Sequence, residues 1–272
     1  MTAVMRRLLI AHIPAAVACG LVASLPAPAL AAAAVTPDFS GVYFNVQNLG
    51  VGSDPATPGK PAPGAPPPPP PKSSAPVNDG SRGRPANLPP LTEEYLAQYD
   101  VIAKSRTAGL SEYDTSAKCL PPGMPFMMGM VYGMEIMQTK DRITIFSEWM
   151  DALRRIYIDG RKPTQKHLDD PTFAGYSTGH WEGDTLVVET VAIRADGQLD
   201  GAGSPHSDQT TVTERIRFTG PGLLEDRMTV RDPKAFTKPW ESTRTYRRAS
   251  PPNDELREFA CAEGLVLAPG SH

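Results

Sequence analysis

The sequence predicts a mainly β chain whose strands close into an antiparallel barrel, with one short helix and a disordered proline-rich insertion. Three observations lead there. Short segments alternating apolar and polar residues dominate from Met134 onward, turn residues separate them at hairpin spacing, and no helices recur between them.

The first element, Asp38 to Val46 (DFSGVYFNV), reads as a short strand. From Gly50 to Pro90 the chain includes PGKPAPGAPPPPPPKSSAPVNDGSRGRPANLPP, and proline at that density supplies neither ladder donors nor a packed core. LTEEYLAQYDVIAKSR follows as a helix: Thr92 caps it, Glu93 and Glu94 suit its positive end, and Tyr95, Leu96, Tyr99 and Ile102 recur at helical spacing. Strands are then expected at MEIMQT, RITIFSEW, LRRIYID, AGYSTGHW, TLVVETVAI, TVTERIRF, LLEDRMTV, ESTRTYRR and LREFAC. Thr139-Lys140-Asp141, Glu182-Gly183-Asp184 and Thr219-Gly220-Pro221-Gly222 are the tight turns between neighbours. A closed sheet of this size encloses packed side chains or one small ligand, so a calycin-like (lipocalin-like) barrel is expected over a sandwich.

The expected organisation is a signal peptide at 1–31, a first-strand region at 32–49, a disordered linker at 50–90, the helix plus barrel at 91–265, and a tail at 266–272. Arg6 and Arg7 precede an apolar run broken by Pro14, Gly20, Pro26 and Pro28, and Ala29-Leu30-Ala31 completes a secretory signal cleaved after Ala31. A periplasmic or secreted protein follows, with no membrane span left after cleavage. Removing Arg6 and Arg7 leaves 25 Lys+Arg against 30 Asp+Glu, which moves the formal charge from −3 to −5. Polyanions are held by clustered cations, so nucleic acid is not an expected partner. Cys119 and Cys261 survive processing, and in an oxidising compartment they are expected to form a disulfide; free or metal-binding thiols are the competing reading.

Nucleotide-binding glycine loops and H-E-x-x-H are absent, and no cofactor is expected. In Ser204-Pro205-His206-Ser207-Asp208, His206 and Asp208 form a candidate acid/base pair at the mouth of a strand; a simple turn cap is the alternative. Glu214 shares a face with Val212, Ile216 and Phe218, so it must be paired, hydrogen-bonded or protonated. Arg155 and Tyr157 face one way and Arg154, Ile156 and Ile158 the other; an interior Arg155 with Tyr157 would recognise a carboxylate or phenolate. Glu148 carries the same ambiguity of face. Trp181 is expected to plug the barrel or stack on a ligand, with His180 opposite.

KCLPPGMPFMMGMVYGMEIMQ gathers Met124, Met127, Met128, Met130, Met134 and Met137. Thioethers line adaptable apolar surfaces, and they also bind Cu(I). Interleaved Phe126, Val131, Tyr132 and Ile136 favour apolar lining, with Met127 and Met128 as ligand contacts and no metal.

The string CLPPGMP from Cys119, then IYIDGR, GHWEGDTLVVET, PHSDQTTVTER, DPKAFTKPW and the late Cys261, resembles a family of secreted bacterial proteins of unassigned function over Leu91 to Glu263. That resemblance implies an exported domain and carries over no catalytic residue. The expected function is an exported barrel binding a small apolar or aromatic molecule, with acid/base turnover by His206, Asp208 and Glu214 left open. A periplasmic copper binder, or an envelope interaction protein using Pro61 to Pro85, are the alternatives.

Overall fold

The computed structural model describes residues 36–46, 87–110 and 112–261. The expected signal peptide and tail, and nearly all of the proline-rich insertion, lie outside the described residues.

The described residues form a closed barrel of nine strands joined in sequence order. The strands are β1 (Gly41–Asn45), β2 (Met134–Gln138), β3 (Arg142–Ser147), β4 (Ala152–Tyr157), β5 (Tyr176–Glu182), β6 (Thr185–Val191), β7 (Thr211–Gly220), β8 (Leu223–Arg231) and β9 (Trp240–Arg248). Although residues 47–86 separate β1 from the rest, it pairs with both β2 and β9 and closes the ring.

A ring in which every neighbour is antiparallel must have an even number of strands, so nine strands require a parallel pair. The structure places it between β4 and β5, which pair only as Ile156 with Ser177 and Tyr157 with Thr178. Every other neighbouring pair is antiparallel. The chain crosses over from Ile158 to Gly175 through the short helix α2 (Gln165–Asp169), returning to the end from which β4 set out.

That arrangement gives the barrel two unlike ends. Tight turns close one end: Gly183 and Gly222 take positive φ there, at +63° and +66°, as the sequence pattern predicts. Phe39 packs against Trp181 and Phe218 inside this end, with ring centroids 5.2 and 5.1 Å away. Long connections cover the other end. Helix α1 (Glu93–Thr107) lies there, burying Tyr95, Tyr99 and Ala103, while Arg106 donates to the Gly201 carbonyl. The turn Phe126–Gly129 presses in beside it, and Met124, Met127 and Met128 all enter the main apolar core.

LREFAC is not a strand. Its residues are held by side-chain contacts along the outside instead: the Arg257 N–H donates to Glu148, and Phe259 sits 4.9 Å from Trp149. The disulfide Cys119–Cys261 ties this last described stretch to the segment leading into the methionine turn, with Cα atoms 5.7 Å apart.

Candidate functional site

Strand alternation places alternate residues of β4, β7 and β8 inside the barrel. On β4 these are Ala152, Arg154 and Ile156, so Arg154 is interior and Arg155 exterior, the reverse of an inward Arg155. Arg154 shares its face with apolar neighbours, and its guanidinium is completely buried. It donates through Nη1 to Glu214 Oε1 at 2.8 Å and through Nη2 to Glu214 Oε2, a bidentate fork. Its remaining donors reach Thr190 Oγ1 at 2.9 Å and Ser177 Oγ at 3.2 Å. Burial opposes the Arg154 charge, but the attraction and hydrogen bonds of Glu214 outweigh it and hold the group above its ordinary range.

Asp226 completes this polar layer. It is wholly buried on β8, and neither of its carboxylate oxygens has a conventional donor. Burial pushes the Asp226 carboxyl well above the usual carboxylate range, and the neighbouring Glu214 charge adds to the rise. Burial and a nearby like charge both favour the protonated form of a carboxyl group. Asp226, buried without a donor and shifted upward, is therefore the group of this layer that keeps its proton. Burial likewise pushes the Tyr246 phenol well above its ordinary value, so the neutral hydroxyl donates to the Met128 carbonyl at 2.6 Å.

His206 is buried in the connection between β6 and β7, where Nδ1 lies 2.9 Å from Thr210 Oγ1. Asp208 is exposed, and no hydrogen bond joins it to His206 among the described residues. Asp232 provides the carboxylate at this cluster. It accepts from Thr210 Oγ1 and Ser207 Oγ, both at 2.7 Å, and from the Ser207 N–H at 2.6 Å. Burial pushes the Asp232 carboxyl up, but these hydrogen bonds prevail and hold it below its ordinary range. Burial lowers the His206 pKa, which favours the neutral ring. Asp232 also accepts from the Lys234 and Ala235 N–H groups, so the cluster anchors two loops at the long-loop end.

The remaining expected site residues are dispersed. Glu148 lies outside the barrel in the turn after β3. Trp181 packs into the tight-turn end and also lines a cavity of about 460 Å³ there with Gln138 and Lys140. His180 is exposed on the opposite face beside Glu182. Met128 is core, whereas Met137 points outward at 42% exposure.

Arg155, Tyr157 and Met127 do come together, on the outer side of the barrel. They line a cleft of about 490 Å³ along the seam between β4 and β5, with Leu153 on the same wall. Phe173, Tyr176 and His167 line it from the crossover and the start of β5. These rings are ordered against one another. His167 stacks on Tyr176 at 4.0 Å, Tyr176 on Tyr157 at 5.4 Å, and the Arg161 guanidinium covers Tyr157 at 4.2 Å. The Thr164 N–H donates to His167 Nδ1 at 3.0 Å, so the neutral ring carries its proton on Nε2. Gly123 forms part of the wall at φ +72°, where a Cβ would stand 2.8 Å from the Phe173 carbonyl oxygen. Only glycine permits so close an approach of the two backbones.

No group of three or more His, Cys, Asp or Glu side chains converges as a metal site among the described residues, and none of their helices is long and apolar enough to cross a membrane.

No family model and no curated protein matches the chain. Among solved structures it is similar to crystal structures of two point mutants of the fluorescent protein UnaG, each at 17% identity. One likeness covers 43% of this chain and 70% of that chain at TM-score 0.26, and the other covers 52% and 87% at TM-score 0.28.

Proposed function

We propose that this is an exported barrel protein that binds a small aromatic molecule in the cleft between β4 and β5, with Arg155 meeting an anionic group on the ligand. The cleft carries the reading: about 490 Å³ walled by stacked Tyr157, Tyr176 and His167, with Phe173 and Met127 beside them. Binding pockets have volumes of this order, with mainly apolar walls and a few polar groups that set orientation. Binding is better supported than acid/base turnover, because Glu214, His206 and Asp208 occupy three separate environments. Export is supported by the disulfide, which persists in oxidising compartments, together with the signal-like N-terminus.

The test is a titration of the full mature chain with 2-naphthoate and with uncharged 2-naphthamide, read by tyrosine and tryptophan fluorescence. Tyr176→Ala should weaken both probes, while Arg155→Ala should weaken only the anion, by about tenfold for one lost charged hydrogen bond. Binding that both variants leave unchanged would place the ligand elsewhere, and no binding of either probe would refute the reading.

A further inference from the structure

The geometry points to a ligand class for this cleft: a short extended peptide, added as a strand to the open edge of β4. The inference rests on the cleft being the ligand site and specifies what it holds.

The Ile158 N–H donates to the Asp141 carbonyl at 2.9 Å, continuing the β3–β4 ladder. In an antiparallel pair the main-chain groups face the partner at every second residue. Counting back from Ile158, the main chains of Ile156, Arg154 and Ala152 therefore face β3. Those of Leu153, Arg155 and Tyr157 face the other way, toward β5. But β5 joins β4 only at Ile156 and Tyr157. Upstream of that point the β4 edge runs along the cleft, with Ala152, Leu153 and Arg155 in its lining. An open sheet edge offers N–H and C=O groups in the pattern that an extended chain completes.

The side chains specify the occupant further. Leu153, Arg155 and Tyr157 project outward at intervals of about 7 Å, the two-residue repeat of a strand. A paired peptide has the same repeat, so an acidic side chain opposite Arg155 and an aromatic one two residues away both fall on the cleft side. Arg155 forms no ion pair among the described residues, which leaves its charge for the ligand. The peptide residue between those two would face the barrel wall opposite the buried Arg154, and must be small. At the head of this edge Met150 and Asp151 both take left-handed φ, +58° and +46°, unfavourable for side-chain-bearing residues. Both also line the cleft, and such strain gathers where a ligand site demands a particular chain path.

Acetyl-Phe-Ala-Glu-amide and acetyl-Glu-Ala-Phe-amide cover both strand directions. Each is to be titrated against the full mature chain beside 2-naphthoate, together with analogues N-methylated at each residue in turn. At least one parent peptide should bind, and at least one N-methyl analogue of it should bind about tenfold more weakly, since methylation removes a ladder donor. Glu to Gln replacement in the peptide should matter with Arg155 present and not in Arg155→Ala. If every N-methyl analogue binds as its parent does, strand addition is wrong. If 2-naphthoate binds and neither peptide does, the peptide class is wrong and the cleft reading stands. If no probe binds, both fall.

Discussion

Arg154 and Glu214 are fully buried and joined by a two-pronged ion pair on the inner wall of the barrel. They belong to strands that are not neighbours, β4 and β7, so the pair bridges across β5 and β6. Ser177 and Thr190, on those intervening strands, complete the donor set of the guanidinium. The pair thus links four consecutive strands on either side of the parallel seam.

Replacing Arg154 alone leaves the fully buried Glu214 without its charged partner. Arg154→Met should cost about 3–5 kcal/mol, the usual price of breaking a buried pair from one side. The double variant Arg154→Met/Glu214→Met removes both charges and should lose less than the sum of the two single changes. Urea unfolding of all three variants measures the coupling, and strict additivity would show that the two groups do not interact.

Asp226 makes stability depend on pH in the opposite sense from an ordinary surface aspartate. Its folded pKa lies well above the value of 3.8 it has when unfolded. Between those two values the native state holds a proton that the unfolded chain has released. The contribution is fully present below pH 3.8 and is lost as pH rises through the folded value. Asp226→Asn keeps the size and a neutral polar group without the titration. Wild-type stability should therefore fall relative to this variant by up to about 1.4 kcal/mol per pH unit across the window. Denaturation midpoints of the two proteins that remain parallel across this range would show that Asp226 is not the proton holder.

The strands were legible because alternation is written in the chain, and eight of the nine segments expected from Met134 onward form strands, with β1 as the ninth member of the ring. Alternation also carried more than was read from it. The rule that singled out Glu214 applies equally to Arg154, between Ala152 and Ile156, and to Asp226, between Leu224 and Met228. The parallel seam was not legible: it depends on the crossover from Ile158 to Gly175 bringing β5 to β4 in the same direction. Since the cleft exists only where that seam opens, Arg155, Tyr157 and Met127 were named without the surface that unites them. Asp232 escaped notice because its contact with Ser207 joins loops far apart in sequence, although an aspartate directly after a strand and before Pro233 is a recognisable turn cap.

Cys119 and Cys261 close a loop spanning 142 residues, which includes eight of the nine barrel strands. Cross-linking over such a distance removes many conformations from the unfolded chain, so the paired variant Cys119→Ala/Cys261→Ala should lose about 3–5 kcal/mol. The bond also holds the segment that supplies Pro121, Gly123 and Met127 to the cleft, and the next tie along that segment is the Met124 N–H to the Phe173 carbonyl at 2.8 Å. Without the disulfide that single hydrogen bond carries more of the restraint, and the Met124 amide should exchange with solvent faster relative to amides in β7 and β8. Denaturant titration and hydrogen exchange on the oxidised protein and the double variant measure the two effects separately. Lower stability with unchanged Met124 protection would confine the disulfide's action to the unfolded chain, and faster exchange would show that it also holds the cleft wall in place.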